Sequence, residues 1–324
     1  MAFVMKDHVL AADLGGTNLR LALVGPDGSI LHRVKRSTPH DGPEAVLAAI
    51  VESARECIEA RPDEQVSALG IAVPAVINPK EGILRNSPNL PFLNGFNLGQ
   101  HVSAELGIAV LTDNDATLAG LGEHWLGASS GAENAICVTL GTGVGGGLVF
   151  NGEVYRGVDG SAGEIGHICV EPDGVPCGCG SRGCLEQYAS ATAVVRIARE
   201  LLNAPAYSRL ASVDEITARD VFDAAKASDP IAQKTFETAG RYLGIALGGL
   251  VNVLNPEVIV LAGGMSAAFE VLEGHVTREM RKRAFREPFE RVKLVRAKLG
   301  DDAGILGAAR MAFLSQKQTS QQVA

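Results

Sequence analysis

The sequence predicts an α/β protein built as two related halves, and three observations predict it. Residues 9–24 (V-L-A-A-D-L-G-G-T-N-L-R-L-A-L-V) are an apolar run, a glycine turn and a second apolar run, the pattern of a β-hairpin. The pattern returns at residues 135–150 (A-I-C-V-T-L-G-T-G-V-G-G-G-L-V-F), where Leu140 and Gly141 stand 126 residues after Leu14 and Gly15. That spacing is too long for a solenoid and suits a duplicated domain. Between and after the hairpins, helical and strand periodicities alternate, and 324 residues at roughly 150 per domain suffice for two domains.

Residues 44–60 place Leu47, Ile50, Val51, Ala54 and Ile58 at helical spacing, while 66–73 and 109–112 read as short buried strands. Residues 116–126 read as a helix opening just after Asn114 and Asp115. In the second half, 189–202 and 230–254 are helical, and Asn255-Pro256 stops the latter because proline cannot continue a helix. A buried strand over 258–262 then ends in Gly263-Gly264. Residues 303–314 form an Ala/Gly-rich helix suited to close packing, and 315–324 a polar tail expected to be disordered.

A net charge of −8, with 46% apolar and 20% charged residues, describes an ordinary soluble globule and argues against a nucleic-acid coat. Lys6, Asp7 and His8 interrupt the start before any apolar run long enough for a signal peptide. The longest apolar stretch, 243–254, contains Asn252 and falls short of the ~20 residues that span a bilayer. A cytoplasmic protein is expected. The 38 glycines against 5% aromatics point to many tight turns, as in phosphate-binding α/β enzymes.

Glycines let backbone N–H groups converge on an anion, so D-L-G-G-T (13–17) and L-G-T-G-V-G-G-G (140–147) are candidate phosphate cradles. One glycine hairpin alone is more often a turn without a ligand; two matched turns together with Gly263-Gly264 favour phosphate. Gly141, Gly143 and Gly146 satisfy G-x-G-x-x-G, yet residues 148–150 continue a strand instead of opening a helix, so the dinucleotide-fold reading fails. No G-x-x-x-x-G-K-[ST] occurs. Asp13, at a strand end beside the first turn, is placed to hold Mg²⁺ that phosphates also bind, commonly through water; the plainer alternative is a turn-stabilising aspartate. Asn114 and Asp115 stand at a strand-to-helix junction, where N-capping is the plain reading, and Asp113 reads as a solvated or capping neighbour.

Cys177, Cys179 and Cys184 form C-x-C-x4-C, with His167 ten residues before the first. Three thiolates and one imidazole make a closed tetrahedral Zn²⁺ site, which is structural because a catalytic zinc keeps a position open. Reduced cysteines without metal are the competing reading. Cys57, Cys137 and Cys169 read as small core residues, and the other six histidines, His40 and His124 among them, as surface or core.

The motifs A-A-D-L-G-G-T-N (11–18), S-P-N-L (87–90), D-N-D-A (113–116), T-L-G-T-G-V-G-G-G (139–147), G-E-I-G-H (163–167) and C-G-C-G-S-R-G-C-L-E (177–186) span nearly the whole chain. On them the sequence resembles the ROK family (repressors, open reading frames, sugar kinases), and within it the bacterial glucokinases. Thr117 departs from the Asn that many members carry. The resemblance implies an actin/hexokinase-like (ribonuclease H-like) fold of two lobes, mixed sheets flanked by helices, with ATP between the lobes and the sugar at the hinge. The lobes are expected over 1–116, joined by the C-terminal helix at about 303–315, and over 117–302, which carries the zinc-binding loop; 316–324 is the tail.

Carried over motif by motif, the resemblance implies Asp115 as general base toward the sugar's primary hydroxyl. Asn89, Asn114, Asp115, Glu164, His167 and Glu186 are implied as sugar ligands. Asp13, Gly15, Gly16, Thr17, Asn18, Gly141, Thr142, Gly143, Gly263 and Gly264 are implied on the path of ATP and Mg²⁺. Zinc on His167, Cys177, Cys179 and Cys184 would orient His167 and the loop ending at Glu186. The implied reaction is ATP-dependent phosphorylation of glucose at the 6-hydroxyl. Its alternatives are another hexose (fructose, allose, N-acetylmannosamine or N-acetylglucosamine) or, from another class, a sugar-sensing repressor. Family repressors carry a helix-turn-helix ahead of the D-x-G-G-T hairpin, whereas 12 residues precede Asp13 here and the charge offers no basic footprint. The partners so implied are a hexose, ATP and further copies of the chain in a homodimer or homotetramer, with no nucleic acid and no membrane.

Overall fold

The computed structural model describes residues 7–78, 81–203 and 207–322. From the N-terminus come β1 (His8–Leu14), β2 (Asn18–Val24), β3 (Ile30–Ser37), α1 (Pro43–Glu59), β4 (Val66–Val73), β5 (Val76–Ile77) and β6 (Leu84–Arg85). Then follow α2 (Leu98–Leu106), β7 (Ala109–Asn114), α3 (Asp115–Leu126), β8 (Ala135–Leu140), β9 (Val144–Phe150) and β10 (Glu153–Val154). The remainder holds α4 (Glu186–Ala189), α5 (Ala191–Leu202), α6 (Ala218–Lys226), α7 (Pro230–Leu254), β11 (Val258–Ala262), α8 (Phe269–Arg283), α9 (Arg286–Arg291), β12 (Lys293–Arg296) and α10 (Ala303–Gln322). No helix among the described residues is long and apolar enough to cross a membrane.

The two sheets repeat one order. The first runs β3-β2-β1-β4-β7 and the second β10-β9-β8-β11-β12. In the first, an antiparallel meander gives way to parallel β1, β4 and β7; in the second, β8, β11 and β12 are the parallel strands. The duplication read from the two glycine hairpins is thus present strand for strand. By its internal packing the chain divides into one unit of Met1–Gly131, Gly147–Ala162 and Asp301–Ala324, and another of Ala132–Gly146 and Gly163–Gly300.

In the first unit, β1 is buried almost throughout, and α1 covers the sheet with Val46, Ile50, Ala54 and Cys57, all fully buried. Of the expected stripe, Ile50, Val51 and Ala54 are buried and Leu47 and Ile58 partly so, while Val46 and Cys57 complete the buried face. β3 has no strand signal in the sequence, because its charged residues stand around a single buried Val34. It is an edge strand, and Arg33 and Arg36, paired with Asp302 at 2.6 Å and Glu56 at 2.7 Å, make that edge a poor template for a foreign strand.

The C-terminal helix changes two expectations. α10 lies so close to α3 that a Cβ on Gly307 would run into the Leu118 carbonyl. This backbone contact keeps α3 in the first unit, so the division falls after Gly131 and not at residue 116. α10 also runs past its expected end, to Gln322, since residues 315–322 contain no glycine or proline to end it. Residues 323–324 lie outside the described residues.

The second unit carries the predicted α7, with the predicted bounds. Asp229 caps it, accepting from Ile231 N at 3.0 Å and Ala232 N at 3.1 Å, and also from Ser208 Oγ at 3.0 Å and Arg209 N at 2.7 Å. Burial pushes this carboxyl up, but the four hydrogen bonds outweigh it and hold it below the ordinary aspartate range. The stabilisation is therefore complete above the unfolded-state pKa and is lost as pH falls through the lowered folded value. Asp229→Asn turns an amide N–H toward the Arg209 N–H and is expected to cost about 1–3 kcal/mol at neutral pH. Urea unfolding across the acid range should show this deficit shrinking as the parent's Asp229 protonates.

Candidate active site

The candidate residues fall into two groups, each built within its own unit. In the first unit, the turn after β1 is closed by Gly15 N donating to Asn18 O at 2.9 Å. Its carbonyls are drawn off by the segment following β3. Thr38 Oγ1 donates to Gly15 O at 2.7 Å, Thr38 N to Thr17 O at 2.9 Å, and His40 Nε2 to Gly16 O at 2.9 Å. The acceptors of the turn are thereby occupied, which suits a cradle for an anion. Neither Thr38 nor His40 was singled out from the sequence, and His40 is a turn-holding residue instead of a bystander.

Asp13 ends β1 in register with Ala72 of β4, and Ala72 pairs with Asp113 of β7. The carboxylates thus gather at the C-terminal ends of parallel strands, where open α/β sheets bind ligands. Burial pushes the Asp13 carboxyl above its ordinary value; Arg20, at 3.6 Å, offsets part of this, and Asp301, which shares Arg20 at 3.2 Å, adds to the rise. Asn89 lies over the first turn: a Cβ on Gly16 would sit 3.0 Å from that of Asn89.

Asn114 is the N-cap of α3, its Oδ1 accepting from Thr117 N at 3.0 Å while its Nδ2 donates to Ala75 O at 3.3 Å. Asp115 is the first residue of the helix, partly exposed, with Oδ1 accepting from Ala116 N at 2.8 Å. Asp113 corrects the sequence reading. It is buried, not solvated, and Arg156 Nε donates to its Oδ2 at 2.7 Å.

The second group repeats the device of the first. In the turn after β8, Gly141 O accepts from Ala191 N at 2.8 Å and Thr142 O from Thr192 Oγ1 at 2.9 Å, so the start of α5 occupies the carbonyls. Glu186 Oε2 accepts from Val144 N at 3.0 Å and lies where a Cβ on residue 143 would be, so a side chain there would displace this carboxylate. Gly263 backs onto Leu140, and Gly264 opens the short turn after β11. As expected, β9 continues the chain beyond these glycines as a strand. Beside Thr142 opens a cleft of about 600 Å³ lined by Ala191, Thr192, Val195, Arg196 and Arg199.

The predicted metal ligands converge. One donor atom each from His167, Cys177, Cys179 and Cys184 lies within 4.8 Å of the others. Cys177 Sγ is 3.7 Å from His167 Nδ1, and Cys179 Sγ is 3.6 Å from Cys184 Sγ. Two thiolates of a tetrahedral zinc, each about 2.3 Å from the ion, stand about 3.8 Å apart, so the donor set fits that metal. The ring's Nε2 faces Glu164 Oε2 at 3.8 Å, and Gln187 Nε2 donates to Cys177 Sγ at 3.7 Å. A ribbon carries the cysteines, held by Val170 N to Gly183 O at 2.8 Å, Cys177 N to Ser181 O at 2.8 Å and Leu185 N to Ile168 O at 2.9 Å. Cys57 and Cys137 are buried as read, and burial pushes the Cys57 thiol up to about 12. Cys169 is exposed, contrary to its reading as a core residue, because it lies on this ribbon.

The profile of the ROK family matches residues 9–314. A glucokinase of Thermotoga maritima is 37% identical over 309 residues, 94% of this chain and 96% of that protein. A glucokinase of Halalkalibacterium halodurans is 38% identical over 306 residues, 92% of each. The crystal structure of a ROK family glucokinase from Streptomyces griseus in complex with glucose and AMPPNP superposes with a TM-score of 0.81, at 34% identity, covering 95% of this chain and 99% of that one.

Proposed function

The chain belongs to the ROK family, and on that premise we propose that it transfers the γ-phosphoryl group of ATP to the 6-hydroxyl of glucose, giving glucose 6-phosphate and ADP. The observation that carries the reading is the capped strand-to-helix junction that presents Asp115 beside a buried Asp113, in a chain similar over almost its full length to a glucokinase solved in complex with glucose and AMPPNP. Phosphoryl transfer asks mainly for positioning and charge stabilisation. Asp115 takes the proton of the 6-hydroxyl as its oxygen attacks the γ-phosphorus. Asn89, Glu164, His167 and Glu186 accept from or donate to the other hydroxyls, and Asn114 adds the lone pair and N–H left over from its capping bonds.

Gly15, Gly16, Thr17 and Asn18 in one turn, Gly141, Thr142 and Gly143 in the other, and Gly263 and Gly264 line the phosphates. The cleft beside Thr142 takes the nucleoside end. Asp13 would hold Mg²⁺, commonly through water, and a carboxyl beside a phosphate turn whose burial Arg20 offsets only in part fits that cation. When bound, Mg²⁺ neutralises charge on the transferring phosphates. Zinc on His167 Nδ1 and the three thiolates would have no open position and would act by fixing the ring, whose Nε2 remains free to face the sugar or Glu164.

The test is a coupled ADP-release assay over glucose, fructose, mannose, allose, N-acetylglucosamine and N-acetylmannosamine, with and without Mg²⁺. Glucose is expected to lead in kcat/KM by about tenfold or more, the discrimination that a few hydrogen bonds supply. Another sugar in the lead reassigns the substrate, and no Mg²⁺-dependent ADP with any hexose removes the kinase reading.

A further inference from the structure

We propose that Arg156 and Asp113 are positioning residues for Asp115; the role rests on the reading of Asp115 as the base. Asp113 is 8% exposed, and an ionised carboxylate so placed is costly unless it is paired and hydrogen-bonded. Among the described residues Arg156 is its ion-pair partner, with Nε donating to Oδ2 at 2.7 Å. The other oxygen, Oδ1, accepts from the backbone N–H of Asn114 at 2.8 Å. One carboxylate therefore ties a guanidinium to the backbone N–H of Asn114, the residue just ahead of Asp115.

Asn114 is where the chain turns. Asn114 is still extended, with φ −61° and ψ 142°, and Asp115 opens α3. The direction taken there sets where the Asp115 side chain begins. The side chain of Asn114 fixes the far side of the junction through Thr117 N and Ala75 O, and its near side is set by the pairing of β7 with β4 and by the Asp113 carboxylate, which Arg156 holds. Arg156 comes from 43 residues along the chain. Its own backbone is placed by Tyr155 N donating to Leu148 O at 2.9 Å and Ala162 N donating to Arg156 O at 3.2 Å. As a stability device the pair is a poor choice, because apolar residues of similar volume serve as well or better. As a rigid link between a distant strand connection and the base it has a purpose, since an error of 1 Å at a reacting group is enough to slow a reaction severely.

The experiment compares steady-state kinetics of Arg156→Ala, Arg156→Lys, Asp113→Asn and Asp115→Asn, each with and without ethylguanidinium at a non-denaturing concentration. Arg156→Ala is expected to lower kcat roughly 10- to 100-fold, with KM for glucose unchanged within about threefold. Arg156 is 35% exposed at its side chain, so a small cation can reach the gap. Ethylguanidinium is expected to restore kcat of Arg156→Ala saturably and to leave Asp113→Asn, which offers no charge to it, unrestored. Arg156→Lys, which keeps the charge but loses the Nε donor, is expected to fall between. Should Arg156→Ala not fold, Arg156→Gln takes its place in the rescue. A merely structural loss reduces the amount of active enzyme and responds to no small cation, so absence of rescue overturns the proposal, as does parental kcat in either arginine variant. Parental turnover by Asp115→Asn instead removes the base itself, whatever Arg156 does.

Discussion

Replacing Asp115 by Asn is expected to lower kcat for glucose phosphorylation by about 10²–10⁴-fold, the range over which a positioned general base contributes. The substitution keeps the side chain's size and shape. An amide oxygen can still accept from Ala116 N as Oδ1 does at 2.8 Å, and Asn114, which caps the helix, is untouched. What disappears is an oxygen able to take the proton. Because the transferring phosphoryl group is only loosely bonded in the transition state, the base is not needed to make the hydroxyl a strong nucleophile; it is needed to receive the proton that the hydroxyl loses as its oxygen bonds to phosphorus. Glucose binding, which depends on several hydroxyl contacts, should stay within about threefold of the parent, so the loss falls on kcat and not on KM. Calorimetric titration of glucose alongside the ADP-release assay separates the two. Near-parental turnover in the variant would take Asp115 out of the reaction.

The contrast between Asp115 and Asp113 shows what the sequence disclosed and what it hid. The hairpins, α1, β4, α7 and β11 were legible because an apolar face repeats with a fixed period or a glycine or proline stops it. The metal set was legible because its ligands stand close together in the chain. β3 was not, since an edge strand with charges on both faces carries no buried period beyond Val34. Arg156 was not, because its partner is 43 residues away and a lone arginine after a strand has no signature. For the same reason Thr38 and His40 passed unnoticed: they serve the first turn by holding its carbonyls, a task that leaves no mark in their own surroundings. Asn114 was read both as a cap and as a sugar ligand, and the cap is the role the geometry displays.

The second large effect is expected at the cysteines. Purified protein should carry about one zinc per chain, and Cys184→Ser should lose it, with kcat/KM for glucose falling roughly 10- to 100-fold or more and a lower thermal midpoint. Without a metal, burial and the neighbouring sulfurs of Cys179 and Cys177 push the Cys184 thiol up to about 12, so at neutral pH it holds its proton. A divalent cation exchanges that proton for a bond, and it does the same at each thiol; the metal is therefore bound more weakly as pH falls. The ribbon's own backbone bonds span a glycine-rich stretch that is largely exposed between Gly178 and Arg182, and what would tie that stretch to His167 is the metal. Its loss would free the ring of His167 and the segment leading into Glu186, both proposed to hold the sugar, while the turn at Gly141–Gly143 keeps its bonds to Ala191 and Thr192. KM for glucose should accordingly rise well before KM for ATP does. Removal of zinc by a chelator, with restoration on adding it back, reports the same split without a substitution. Metal analysis that found no zinc in fully active protein, or a Cys184→Ser variant with parental stability and parental KM for glucose, would show that the four donors hold the ribbon without an ion.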